Sequence, residues 1–100
     1  MSVEEEIRLI KKIPPLVRYS DGLLYWVIKP SYSRNKGDEA GGKVGGKYRA
    51  VQYDHTVIYI HRIIFFMFHG YLPRRIRCID KTLDSKGCYS FRIENLEAEK

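Results

Sequence analysis

One continuous stretch, from His61 to Asn95, restricts the possible folds of this chain more than any other part of it. It opens with the apolar run IIFFMF, which stops at Gly70 and Pro73. An apolar run that is closed by glycine and proline is typical of a helix and its end. The sequence therefore predicts a helix over residues 61–69.

The second half of the same stretch predicts a strand and a further helix. Arginines alternate with apolar residues before Asp80, which predicts a strand over residues 75–79. The closing letters RIENL predict a helix over about residues 92–98. The expected order is helix, strand, loop and helix.

Turn residues divide the first 60 residues into shorter elements. Runs rich in β-branched and aromatic residues predict three strands, at residues 23–29, 48–53 and 56–60. The last two are joined by the Asp54-His55 turn, and a short helix is expected from Glu4 to Lys12. At 100 residues, the chain is expected to form one α+β domain with a small antiparallel sheet.

The positive charge is concentrated in the middle of the chain. Residues 29–81 hold eleven basic and four acidic side chains, an excess of +7, whereas the whole chain has a net charge of +6. This placement is expected of a protein that binds a phosphate backbone, and a solvated basic face without a partner is the plainer alternative. The glycines of the loop over residues 29–47 do not follow the order of strand, GxGxxG and helix, so a nucleotide site is not expected there.

Other features bear on the cellular compartment. The longest apolar run, Val57 to Phe68, is interrupted by His61 and Arg62 and is shorter than the roughly 20 residues of a membrane span. The acidic N-terminus MSVEEE is unlike a secretory signal, so a cytoplasmic location is expected. Cys78 and Cys88 are expected to be reduced thiols there, and without Cys-x-x-Cys pairs they do not indicate a structural zinc.

Several short motifs are similar to those of the small phage-type HNH endonucleases, a homing-endonuclease-like family. They are the segment from Asp21 to Trp26, the segment from Gly37 to Gly41, His61-Arg62, His69-Gly70, Pro73, Ile79-Asp80, and the segment from Arg92 to Leu96. The likeness covers roughly residues 20–97. It implies a ββα-metal arrangement in the C-terminal half, a phage or prophage origin, and the cytoplasm of a bacterial host cell.

The resemblance also assigns roles to residues of the catalytic site. In that family an Asp and an Asn bind one divalent metal, and a His accepts the proton of the attacking water. Asp80 and Asn95 match the two metal ligands, which implies Mg²⁺ if the site is active. Lys81 stands at the position of the general base, where a lysine ammonium would keep its proton at neutral pH. Phe91 replaces the Asn that braces the loop, so the resemblance implies a degenerate member of the family.

Ten basic side chains are the expected contacts to DNA or to another partner. They are Arg34, Lys36, Lys43, Lys47, Arg49, Arg62, Arg74, Arg75, Arg77 and Arg92. His61 is expected to orient the junction between strand and helix, or to contact the backbone of a ligand, rather than to bind metal.

The expected organisation is a single HNH-endonuclease-like domain over residues 1–100. It comprises an N-terminal helix and linker at 1–19, strands and a basic loop at 20–60, and a degenerate ββα-metal motif at 61–100. Three functions are consistent with it. The first is a non-cleaving protein that keeps a surface for binding nucleic acid or protein, and the second is an active metal-dependent nicking or homing endonuclease with a rearranged base. The third is a phage inhibitor of a host factor, such as a defence complex that handles nucleic acid. Replacement of the general base and of the bracing Asn favours the functions without cleavage, and no membrane partner is expected.

Overall fold

A computed structural model of the protein describes residues 3–29, 35–53 and 55–99. Its helices are α1 (Val3–Ile10) and α2 (Ile60–His69), with single 3₁₀ turns at Pro14–Leu16 and Ile93–Asn95. Its strands are β1 (Val17–Ser20), β2 (Leu23–Trp26), β3 (Gly42–Gly45), β4 (Tyr48–Tyr53), β5 (Thr56–Tyr59), β6 (Ile76–Cys78) and β7 (Leu96–Ala98). The α+β class and the antiparallel pairing are therefore confirmed.

The strands form three small antiparallel sheets rather than one. β1 pairs with β2, β4 lies between β3 and β5, and β6 pairs with β7. The predicted strands at 23–29, 48–53, 56–60 and 75–79 are present, the first, third and fourth with shorter bounds. β1 falls largely within the segment expected to be a linker, which ends at residue 19, and β3 falls within the expected basic loop.

Helix α2, which follows β5 without a break, supplies much of the core. Ile60, Ile63, Ile64 and Phe65 are each at most 2% exposed. The helix ends at Gly70, whose φ of 76° lies in the left-handed region and whose N–H donates to the Phe66 carbonyl at 2.9 Å. The helix predicted over residues 61–69 is confirmed.

The tight turn between β1 and β2 packs against the C-terminal segment. Asp21 and Gly22 both have positive φ, 55° and 87°, which suits a two-residue hairpin turn. A Cβ at Gly22 would lie 2.8 Å from the backbone N of Arg92, so only glycine allows this close approach. The Arg92 side chain in turn pairs with the Asp21 carboxylate at 2.8 Å.

The helix predicted over residues 92–98 is wrong. Only Ile93–Asn95 form a helical turn, and the chain then enters β7, in which Leu96 lies opposite Cys78 and Ala98 opposite Ile76. A tertiary contact decides the outcome. The backbone of this segment pairs with the edge of β6, and this pairing is more favourable than a short isolated helix. In the described residues, the C-terminal half therefore has a strand where the ββα expectation has its last helix.

Candidate functional site

The predicted metal ligands Asp80 and Asn95 lie together, joined through the backbone of Asp80. The Asp80 N–H donates to Asn95 Oδ1 at 2.7 Å, and Asn95 Nδ2 donates to the Asp80 carbonyl at 3.0 Å. The same Nδ2 also donates to the Ser90 carbonyl at 2.9 Å. Asn95 is only 9% exposed, so its amide acts as a buried clamp between the end of β6 and the segment before the last 3₁₀ turn.

The side chain of Asp80 points away from this clamp into solvent. Its Oδ1 accepts the Thr82 N–H at 2.9 Å, which forms a local turn of the kind that aspartate favours. Hydrogen bonds from Thr82 hold the pKa of the Asp80 carboxyl below its ordinary value. Lys81, at the position of the expected general base, is exposed.

These residues do not fit a magnesium site built on Asp80 and Asn95. A hard cation requires several convergent oxygen ligands, but the Asn95 oxygen already accepts a short hydrogen bond and the Asp80 carboxylate is turned toward Thr82. Among the described residues, no group of three or more His, Cys, Asp or Glu side chains is arranged to hold a metal.

Asp84 organises the loop that separates Asp80 from Asn95. Its Oδ1 accepts the N–H groups of Lys86 and Cys88 at 2.8 and 3.0 Å, and its Oδ2 accepts Arg49 Nη2 at 3.0 Å. The Cys88 N–H and the Arg49 guanidinium lower the pKa of this carboxyl. The sequence offers a local signal for the turn in the letters DSKG, but the pairing with Arg49, 35 positions earlier, is a tertiary contact.

Phe91, in place of the bracing Asn, is part of the core. It is 1% exposed, and its ring stacks on Tyr48 at a centroid distance of 6.1 Å and on His61 at 5.5 Å. Apolar packing therefore holds this part of the loop.

A cavity of about 600 Å³ lies beside Asp80 and Asn95. Five carboxylates and three cations line it, namely Asp21, Glu39, Asp80, Asp84 and Glu94 with Arg49, Lys86 and Arg92. Each of the three cations lies within 4.0 Å of a carboxylate of the same lining. The cavity is therefore not a cationic cradle for a phosphate backbone.

Four of the predicted DNA contacts make ion pairs within the fold. Arg49 and Arg62 are buried, and Arg77 and Arg92 make exposed ion pairs with Glu97 and Asp21. Arg62 Nε donates to Glu6 at 2.8 Å, and its two terminal nitrogens donate to the carbonyls of Pro73 and Arg74 at 2.9 and 3.1 Å. Arg62 thus ties α1 and α2 to the segment that enters β6.

The remaining predicted contacts are exposed. They are Lys36, Lys43, Lys47, Arg74 and Arg75, whereas Arg34 lies outside the described residues. Lys47 Nζ lies 5.6 Å from the centroid of the Tyr89 ring, and Tyr89 meets Tyr48 edge to face at 5.6 Å. Tyr48 also meets Tyr59 edge to face at 6.2 Å.

A second cavity, of about 390 Å³, opens beside the start of β6. Its lining includes Tyr48, Tyr59, His61, Arg74, Arg75 and Glu99. The sequence indicates the two arginines but not the tyrosines of the β4–β5 hairpin or Glu99, which follows β7.

His61 forms a neutral part of this second cavity. It is 8% exposed, and within the described structure its Nδ1 is buried without a hydrogen-bond partner. Burial, assisted by the neighbouring Arg62 cation, lowers the pKa of His61 from 6.5 to about 4. The imidazole is therefore uncharged at neutral pH.

Comparisons with family models, curated proteins and solved structures find no match to this chain. What the fold itself defines is a small α+β protein with several antiparallel sheets and two helices. Neither helix, in the part of the chain that is described, has the length and apolar character needed to cross a membrane.

Proposed function

We propose that this protein is a non-cleaving, HNH-endonuclease-like protein that binds nucleic acid in the cytoplasm of a bacterial host. The observation that carries the absence of cleavage is the Asn95 clamp, in which both polar atoms of the amide hold the protein's own backbone. Among the described residues that line the cavity beside Asp80 and Asn95 there is no histidine, the most common general base, and Lys81 is exposed.

Binding is supported by a surface that we call the basic aromatic face. It consists of Lys47, Arg74 and Arg75 together with Tyr48, Tyr59 and Tyr89. Ring contacts connect the three tyrosines, Lys47 lies over one of them, and both arginines share a cavity with the other two. Cations that alternate with aromatic rings suit a single strand, because the cations meet phosphates and the rings stack on bases.

The expected mode of binding is salt-sensitive and weakly dependent on sequence. The cations lie on hairpins and strand ends rather than on a recognition helix, so contacts to phosphate dominate contacts to base edges. Each neutralised phosphate should contribute about 0.7 to the slope of log affinity against log salt for a single strand, and about 0.9 for a duplex.

Fluorescence anisotropy with labelled single-stranded DNA and with a labelled DNA duplex tests the binding. We expect dissociation constants in the nanomolar to micromolar range at about 50 mM salt, and much weaker binding at about 200 mM. The variant Lys47→Ala should lose affinity and salt slope. Lys12→Ala, which removes one exposed lysine before β1, is the charge-matched control.

The absence of cleavage is tested separately by plasmid nicking with magnesium or manganese. We expect none from the native chain. Robust cleavage that disappears in Asp80→Ala would overturn this half of the proposal. Undetectable binding of DNA at low salt would overturn the other half, and would direct attention to an acidic partner protein such as a component of a host-defence complex.

A further inference from the structure

The cavity beside the start of β6 combines features that a small anionic group requires. Arg74 and Arg75 are both exposed, and in the described part of the chain neither makes an ion pair. The hydroxyl-bearing side chains of Tyr48 and Tyr59 line the same space of about 390 Å³. Guanidinium and phenol groups are both hydrogen-bond donors, so the lining suits oxygen acceptors.

Arg62 fixes the backbone from which the two arginines project. Its guanidinium donates to the carbonyls of Pro73 and Arg74, and its third contact is the Glu6 carboxylate at 2.8 Å. The Arg62 charge is therefore compensated, and its structural role is to hold the chain in place at the cavity. A preorganised backbone lowers the entropy lost when a ligand binds.

The charge balance of the cavity favours one small anionic group over several at once. With Arg62 paired to Glu6, the uncompensated charges in the lining are Arg74, Arg75 and the Glu99 carboxylate, which together leave one net positive charge. Glu99 is anchored by its own N–H, which donates to the Arg75 carbonyl at 3.0 Å. The carboxylate therefore opposes an anion and weakens binding.

We propose that this cavity binds one phosphoryl group of a nucleotide unit, through the guanidinium groups of Arg74 and Arg75. Tyr59, which is 42% exposed, supplies a ring on which the attached base stacks. This inference rests on the proposed function only where the ligand is a nucleic-acid strand. The site itself requires only a phosphoryl group. The phosphoryl group belongs either to a free mononucleotide or to the backbone of a strand.

Nuclear magnetic resonance titration of the native chain tests the site with two probes, inorganic phosphate and adenosine 5′-monophosphate. The reporters are the imidazole signals of His61 and the backbone amides of Arg75 and Ile76. We expect both probes to shift these signals, and a bound dianion to raise the pKa of His61 from about 4, because it offsets the effect of the Arg62 cation. A purely structural histidine would not respond.

Three variants separate this site from general electrostatic attraction. Arg74→Ala/Arg75→Ala should weaken nucleotide binding by about tenfold or more, since hydrogen bonds to charged groups are among the stronger ones. Arg77→Ala removes one exposed arginine of the adjoining strand β6, paired with Glu97 at 3.0 Å, and is the control for a nearby cation outside the cavity. Glu99→Gln removes the opposing carboxylate and should strengthen binding several-fold.

The outcomes also distinguish this proposal from the general function. If the native chain binds a DNA strand and Arg74→Ala/Arg75→Ala weakens that binding no more than Arg77→Ala does, the cavity proposal is wrong and the general function survives. If phosphate shifts His61 while no strand binds, the cavity is a site for free nucleotides and the general function is wrong. Signal shifts spread evenly over all exposed cations would refute the cavity as a site.

Discussion

Asn95 and Asp80 exchange two hydrogen bonds, one in each direction, across 15 positions of sequence. Both bonds involve the backbone of Asp80, and neither involves its carboxylate. The clamp closes the chain between the end of β6 and the last 3₁₀ turn, where Ile79 N–H also donates to the Asn95 carbonyl at 3.0 Å. Asn95, which the sequence resemblance matches to a metal ligand, therefore acts as a joint between two segments of the chain.

The first prediction concerns this joint. Asn95→Ala leaves the Asp80 N–H and carbonyl without this partner in a partly buried region, and leaves the Ser90 carbonyl only the weak Cys78 thiol donor at 3.9 Å. Each unsatisfied buried group costs roughly 1–3 kcal/mol. We expect the free energy of unfolding to fall by about 2 kcal/mol or more, measured by urea titration. Asp80→Ala is the informative companion, because it removes only the exposed carboxylate and should reduce stability far less. Equal losses in the two variants would contradict the clamp.

The same region shows why the sequence predicts some features and not others. The proximity of Asp80 and Asn95 follows from the family resemblance, but the atoms that they share depend on how β7 pairs with β6. The letters RIENL have a helical spacing, and only the neighbouring strand edge decides that the chain extends after Asn95. Local patterns specify α2, whose apolar run and Gly70 terminus lie within a dozen residues.

A second prediction compares two arginines with opposite burial. Arg62→Ala should lower the free energy of unfolding by about 3 kcal/mol, because it leaves the Glu6 carboxylate, whose side chain is 14% exposed, and two partly buried carbonyls without their partner. Arg77→Ala breaks an ion pair whose side chains are 57% and 47% exposed, and should cost less than about 1 kcal/mol. Thermal and urea unfolding of the two variants provide the measurement. If Arg62→Ala is nearly neutral, the tie between α1 and the start of β6 is not structural.

A third prediction separates backbone conformation from steric contact at two glycines with positive φ. Gly70→Ala should lower the free energy of unfolding by about 1 kcal/mol. The alanine would be strained only by its left-handed backbone conformation, because no described neighbouring atom lies within 4 Å of the added Cβ. Gly22→Ala should cost about 3 kcal/mol or more, because its Cβ would also meet backbone atoms of Arg92 and Phe91 at 2.8 and 3.1 Å. Differential scanning calorimetry of both variants checks the order. Similar losses would show that the hairpin turn can move away from the C-terminal segment.

The basic residues illustrate the limits of composition as a guide to function. The excess of positive charge in residues 29–81 predicts a binding surface, yet Arg49 and Arg62 are buried in ion pairs. Which arginines remain available depends on acidic partners 35 and 56 positions away, such as Asp84 and Glu6. Of the tyrosines in the basic aromatic face, Tyr48 and Tyr59 belong to the β4–β5 hairpin, whereas Tyr89 comes from the loop after Asp84 and joins them only through a tertiary contact.

The last prediction uses the buried imidazole of His61. Its pKa is lowered to about 4 in the folded protein from 6.5 in the unfolded chain, so the unfolded state binds more protons between these values. This contribution to stability is fully present above about pH 6.5, and is lost as the pH falls toward about 4. The loss should total about 3 kcal/mol, and urea unfolding at a series of pH values across this window measures it.

His61→Phe provides the control for that experiment. The phenyl ring can stack on Phe91 as the imidazole does, and it removes the buried nitrogen that has no partner in the described structure. We expect the variant to lose most of the pH dependence between about pH 6.5 and 4, while Asp80 and Asp84, whose pKa values are lowered, still destabilise the protein at more acidic pH. An unchanged pH profile in His61→Phe would mean that His61 is not the group that titrates, and would remove the reporter on which the nucleotide titration relies.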